Sequence, residues 1–291
     1  MTKPASNKYN TGVMVAFYQG FRWAKSQPRI IGIVYLMSLL VAFFSLGPLS
    51  NIVSDAISTT DYSNGFQEGF SHTLFTEIMR EYGSGINVSI LFFASMLVPY
   101  FLWSVFRSAG IMGVIHESAL GSQSRGFWAN GMRYFWPFLK LALLMLLLLA
   151  TLLFISFIII QSGNLNPLEM VSETGLIIRI YVALFFIMVI GLLLSTFREV
   201  MKALIVLSNH NSIVKHSSIA LSQTMKFKTI NLTLLYAGVL LFISFIYFLL
   251  KPYIVNYLLI VIILGQVYLI IRMGYQLAKS TSFYALVSQE L

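Results

Sequence analysis

His116 is followed directly by Glu117, the start of the pattern by which a helix offers zinc two histidines and a general base, but no second histidine stands four residues on. His210 and His216 sit among Asn209 and Asn211 with no cluster of carboxylates, which makes them polar interfacial residues rather than ligands. The stretch "GSQSRG" from Gly121 to Gly126 is a Gly/Ser turn without the lysine and spacing of a phosphate-binding loop. Cysteine is absent, so thiolate metal sites, disulfides and a cysteine nucleophile are excluded. No Ser/His/Asp set stands out, and no soluble segment is large enough for a catalytic domain. The expectation is no catalytic residue, no metal and no cofactor.

The chemistry that is present is electrostatic. In "LLSTFREVMKALIV", Arg198, Glu199 and Lys202 follow a run of apolar residues, and "FR" also closes an earlier run at Arg107. Arg107, Arg125, Arg133, Arg198, Lys202 and Arg272 are candidates to hold anionic lipid headgroups and to fix topology, because guanidinium and ammonium groups at a span's end reach the phosphate layer. Inside the apolar runs there is no ionisable residue, the usual pointer to transport or proton relay. Gln266, beside Gly265, is the most expensive polar side chain to leave unpaired there. It either bonds to a neighbouring helix or lines a substrate path.

The elements that position these groups are membrane spans. With 58% hydrophobic and 10% charged residues, the chain lies far from the soluble average of roughly a quarter charged. Runs of about 20 apolar residues are long enough for a hydrocarbon core about 30 Å thick. An all-α polytopic membrane protein is expected, a single integral domain over residues 1–291 with spans at about 30–48, 88–106, 141–160, 180–197, 231–250 and 257–271. The first run starts late, is full length and lacks a cleavage-type exit, so it stays as the first span. The loops then sort by sign. Sixteen of the 19 basic residues fall on one side, with only Arg80, Arg179 and Lys251 on the other, where seven of the ten acids lie. That puts +13 on one face and −4 on the other, together the +9 of the chain. The positive-inside rule therefore makes both termini cytoplasmic, and the charge belongs to lipid rather than nucleic acid.

A unit recurs three times: basic amphipathic segment, span, external connection, span, then Arg107, Arg198 or Arg272. The segments "VAFYQGFRWAKSQPR", "FWANGMRYFWPFLK" and "SIVKHSSIALSQTMKFK" suit helices lying in the interface plane. Either the chain is three repeated hairpins, or any six-span protein with this charge rule would look similar. The first external connection holds an expected helix at about 64–82, with Phe66, Phe70, Leu74, Ile78 and Tyr82 on one face and Gly83 as its stop. It would lie on the outer membrane surface or offer a docking face. Pro99 is expected to kink the second span.

With "FYQGFRWAKSQPRIIGIVYLMSLLVAFFSLGPL", "FRSAGIMGVIHESALGSQSRGFWANGMRYFWPFLKL" and "GQVYLIIRMGYQLAKSTSFYAL", the chain resembles a loose group of bacterial six-span membrane proteins, similar to the membrane domain attached to some glycerophosphodiester phosphodiesterases. The resemblance implies a bacterial inner-membrane helical bundle near lipid metabolism or envelope maintenance. The phosphodiesterase catalytic domain has no counterpart in this sequence, so no site residue carries over. The expected function is a non-catalytic scaffold or accessory subunit binding membrane lipid or a partner membrane protein. The alternative is a carrier or flippase-like transporter of a lipid or amphipathic solute, its path lined by Ser, Thr, Tyr and Gln.

Overall fold

A computed structural model describes residues 12–58, 72–121, 126–161, 173–208, 213–254 and 258–290. The described residues are almost wholly helical and contain no strand. In chain order the helices are α1 (Val13–Ser26), α2 (Pro28–Ser58), α3 (His72–Ala119), α4 (Gly126–Gln161), α5 (Glu173–Ser208), α6 (Ile213–Thr224), α7 (Phe227–Ile254) and α8 (Leu258–Glu290). Four stretches are long and apolar enough to cross a membrane: Ile90–Ala119, Gly126–Gln161, Ile177–Ser208 and Phe227–Leu250. A fifth is added if the bent pair Val13–Ser26 and Pro28–Phe44 counts as one span. These are the lengths and compositions of a multi-pass membrane protein. The sixth expected span begins at residue 257, outside the described residues, and the described part of α8 is not among the four.

The helices run well past the expected span boundaries. α4 has 36 residues, about 54 Å of helix against a hydrocarbon core of about 30 Å. The aromatic-basic segment before the third span is therefore not a separate interfacial helix; it is the first part of α4, and the helix continues through Pro137. Gly83 does not end a helix either, since α3 runs unbroken from His72 to Ala119 and also passes through Pro99. A mid-helix glycine costs only about 1 kcal/mol, less than unsatisfied backbone groups would cost in an apolar layer. The start of the expected external helix, at residues 64–71, lies outside the described residues. The other two amphipathic segments do form helices of their own. α1 stops at Gln27 because Pro28 restricts the residue before it, and α6 is closed by the turn at Met225 and Lys226. The Gly/Ser turn stands where expected: Gly121 and Gly126 have φ of 65° and 84°, a region open to glycine at no steric cost.

The chain forms two compact units, Met1–Ile31 with Val105–Leu291, and Gly32–Ser104. In the smaller unit, Ser38 and Ser95 give their hydroxyl protons to the backbone carbonyls of Val34 and Phe92, one turn back on their own helices. Leu36, Phe43, Ile90 and Leu91 are exposed, a surface suited to hydrocarbon.

The larger unit concentrates its core at the basic ends of the helices. Val200, Met201, Leu204 and Val206 of α5, Leu232 and Tyr236 of α7, and Leu277, Phe283 and Val287 of α8 are all buried. By contrast, only 6% to 17% of each apolar window is buried within the chain. α1 lies along α8 through Ala16, Gly20 and Ala24, small residues at every fourth position that let two backbones approach closely. A Cβ on Gly20 would run into Ser282 Oγ and the Ala278 carbonyl. Ser282 donates to the Ala16 carbonyl at 2.7 Å and accepts from the Tyr236 hydroxyl at 2.8 Å, so one relay ties α1, α7 and α8. Phe21 stacks on the Tyr236 ring with centroids 5.9 Å apart, and Phe17 packs against the same ring at 4.9 Å, tilted by 55°. The end of α8 is tied down by Lys226 and Glu290 at 2.7 Å, with the lysine 43% exposed. For so open a pair, Glu290→Gln is expected to cost under about 1 kcal/mol, and thermal unfolding in high salt should erase even that difference.

Candidate functional site

Among the described residues of the larger unit, four charged side chains gather where the basic end of α5 meets α8. Leucine-rich sequence carries α5 as an uninterrupted helix up to Ser195, and the same helix then presents Arg198, Glu199 and Lys202 within little more than one turn. Glu199 is buried, 3% exposed. Its Oε1 accepts from Lys202 Nζ at 2.9 Å and from Arg198 Nη2 at 3.4 Å. Its Oε2 accepts from the Ser280 hydroxyl at 3.1 Å. Lys279, on α8 beside Ser280, donates to Ser195 Oγ at 2.9 Å, one turn before Glu199 on α5. Burial holds the Lys279 ammonium below the usual lysine range; Glu199 opposes that shift and Arg198 adds to it. Burial also pushes the Tyr275 phenol up to about 12, with the Glu199 charge contributing. Three cations thus surround one carboxylate whose two oxygens are already occupied. What the set offers is a fixed positive potential beside an apolar span.

A second polar cluster joins the end of α3 to the start of α4. Asn130, fully buried, donates to Glu117 Oε2 at 2.8 Å and packs so close to α3 that a Cβ on Gly113 would strike its side chain. His116 Nδ1 lies 2.8 Å from the Tyr284 hydroxyl, which links α3 to α8. Among the described residues, no three His, Asp or Glu side chains come together as a metal-ligand set.

Of the residues expected from sequence to meet headgroups, Arg198 and Lys202 come together here. Arg133 is exposed on α4 with its guanidinium 5.2 Å from the centre of the Tyr134 ring, and Arg272 is exposed on α8. Arg107 is half-buried on α3, and Arg125 lies outside the described residues. Gln266 is half-buried on α8 and engaged. Lys279, Ser280 and Ser195 complete the cluster and were not singled out from sequence. The signal that could have found it is Glu199 itself, one of only three acids on the basic side of the charge split. All three are fastened: Glu117 by Asn130, Glu199 by Lys202, and Glu290 by Lys226. Trp128, Met132 and Trp136 form an exposed stripe at every fourth residue of α4, continued by Lys140, which suits a membrane–water interface.

No protein family, curated protein or solved structure matches the chain.

Proposed function

We propose that this chain is a non-catalytic scaffold or accessory subunit of a bacterial inner membrane, which binds anionic lipid on the cytoplasmic side and through its exposed spans meets lipid or a partner membrane protein. In this reading it crosses six times as three hairpins, with both termini cytoplasmic. The observation that carries it is the cation-rich cluster of Arg198, Lys202 and Lys279 around Glu199 at the end of an apolar helix. Positive charge at that level meets the phosphate layer.

A carrier would need polar groups free to meet a headgroup within the apolar layer. Thr151 and Ser156 give their hydroxyl protons to the carbonyls of Leu147 and Leu152 on their own helix. Thr233 is bonded to Thr196. Those hydroxyls are used for structure, which favours the scaffold reading.

The test is purification in native-lipid nanodiscs followed by mass spectrometry of everything retained. Enrichment of anionic lipid over the bulk membrane, with or without a stoichiometric protein, is the expected result. Retained lipid of bulk composition with no protein partner would overturn the reading. Rapid lipid scrambling by the purified chain in liposomes would replace it with the carrier.

A further inference from the structure

The charge cluster is unbalanced in a way that selects among anionic ligands, an inference that rests on the lipid-binding reading above. Among the described residues, Glu199 is the one acid acting on either Lys202 or Lys279, and Arg198 adds a third positive charge. Three cations against one carboxylate leave a surplus of two. The carboxylate cannot absorb it, because Oε1 already takes Lys202 and Arg198 and Oε2 takes Ser280. Lys279 is left with the neutral Ser195 hydroxyl as its hydrogen-bond acceptor. A half-buried ammonium with a neutral oxygen as its acceptor and the Phe283 ring 5.9 Å from its Nζ keeps its net positive charge, which an anion would complete.

Direction matters as well. Side chains on a helix lean toward its N-terminus, and Lys279 does so: its Nζ reaches Ser195, one turn nearer the apolar run of α5 than Glu199. The surplus charge is therefore presented at the margin of the apolar layer. Arg198, with its side chain 49% exposed, leaves that margin open.

We propose that Arg198, Lys202 and Lys279, with the Ser195 hydroxyl, form a binding site for a phosphate monoester dianion at the contact between α5 and α8. A phosphate monoester carries about −1.5 to −2 charge near neutral pH, which matches the surplus, and offers three acceptor oxygens for three cationic donors. A phosphodiester headgroup carries a single negative charge and leaves one cation uncompensated. The same chemistry is found in a monoester lipid headgroup and in free inorganic phosphate.

The experiment uses the full chain in phosphatidylcholine nanodiscs doped with equal amounts of phosphatidic acid and phosphatidylglycerol, with retained lipid counted by native mass spectrometry. One additional compensated charge at the membrane surface corresponds to a preference of about fivefold for phosphatidic acid. Lys279→Gln and Arg198→Gln are expected to bring the ratio of the two lipids to unity, and Lys279→Arg to restore it. Arg198→Gln changes an open position without emptying the core, so it decides the matter if Lys279→Gln does not fold. Equal retention of the two lipids by the unaltered chain, or an unchanged ratio in Arg198→Gln, overturns the monoester site. If both lipids are still enriched over phosphatidylcholine, the broader lipid-binding reading survives that failure. Release of phosphatidic acid by millimolar inorganic phosphate would support the same site with free phosphate as its source; retention assigns it to the lipid.

Discussion

Glu199→Ala is expected to be the most damaging single substitution at the basic end, lowering stability by about 3–5 kcal/mol, because it removes the carboxylate and strands the Lys202 ammonium, whose side chain is only 11% exposed. Glu199 is 3% exposed and accepts hydrogen bonds from Lys202, Arg198 and Ser280. Without it, Lys202 and Lys279 have no acid acting on them among the described residues. Thermal unfolding in detergent reads the loss directly. The ionic origin has its own signature: Glu199→Leu combined with Lys202→Met should be less harmful than Glu199→Leu alone, since the second change removes a stranded charge. Strictly additive losses would show that Glu199 acts through packing instead.

The second large effect is expected at Gly20. Alanine normally favours a helix over glycine by about 1 kcal/mol, yet Gly20→Ala should destabilise by about 1–3 kcal/mol because the new methyl overpacks the contact with α8. Its Cβ meets Ser282 Oγ and the Ala278 backbone carbonyl, and the carbonyl belongs to a helix that cannot yield locally. Gly20→Val should detach α1 altogether. The detachment is measured by trypsin cleavage at Arg22 and Lys25, which are already exposed but protected by the helix that carries them. Gly238→Ala on α7 is the control: nothing lies within 4 Å of its Cβ position, so a gain of about 0.5–1 kcal/mol is expected. If Gly20→Ala behaves like the control, the close approach of α1 and α8 is not what holds them together.

How these features read in the sequence follows from the range over which each one acts. The apolar runs were legible because span length is a local property, and the Gly121–Gly126 turn because glycine and serine mark it locally. Helix ends were misplaced because the aromatic-basic segment before Leu141 contains no breaker strong enough to separate it from the span, so Pro137 is carried inside α4. In "VAFYQGFRWAKS" the aromatic and basic residues pointed to an interfacial helix. The spacing of Ala16, Gly20 and Ala24, equally visible, pointed to helix packing, and it is this face that the structure buries. The Glu199–Lys202 pair could be seen three residues apart, but Lys279 and Ser280 come from another helix some 80 residues on. Nothing local links the two stretches; what would have narrowed the search is that acids on the basic side of the charge split are few and therefore each in want of a reason.

The relay from Tyr236 through Ser282 to Ala16 also imposes an order on the making of the protein. Ser282 and Ala16 are 266 residues apart. At synthesis rates of about 5–20 residues per second, α1 emerges on the order of 10–50 s before the surface that will cover Ala16, Gly20 and Ala24 has been made. During that interval α1 has only the membrane interface, or a chaperone, to shelter it. A chain interrupted before α8 leaves α1 in that exposed state permanently, which gives cellular proteases a local and early mark of an unfinished molecule.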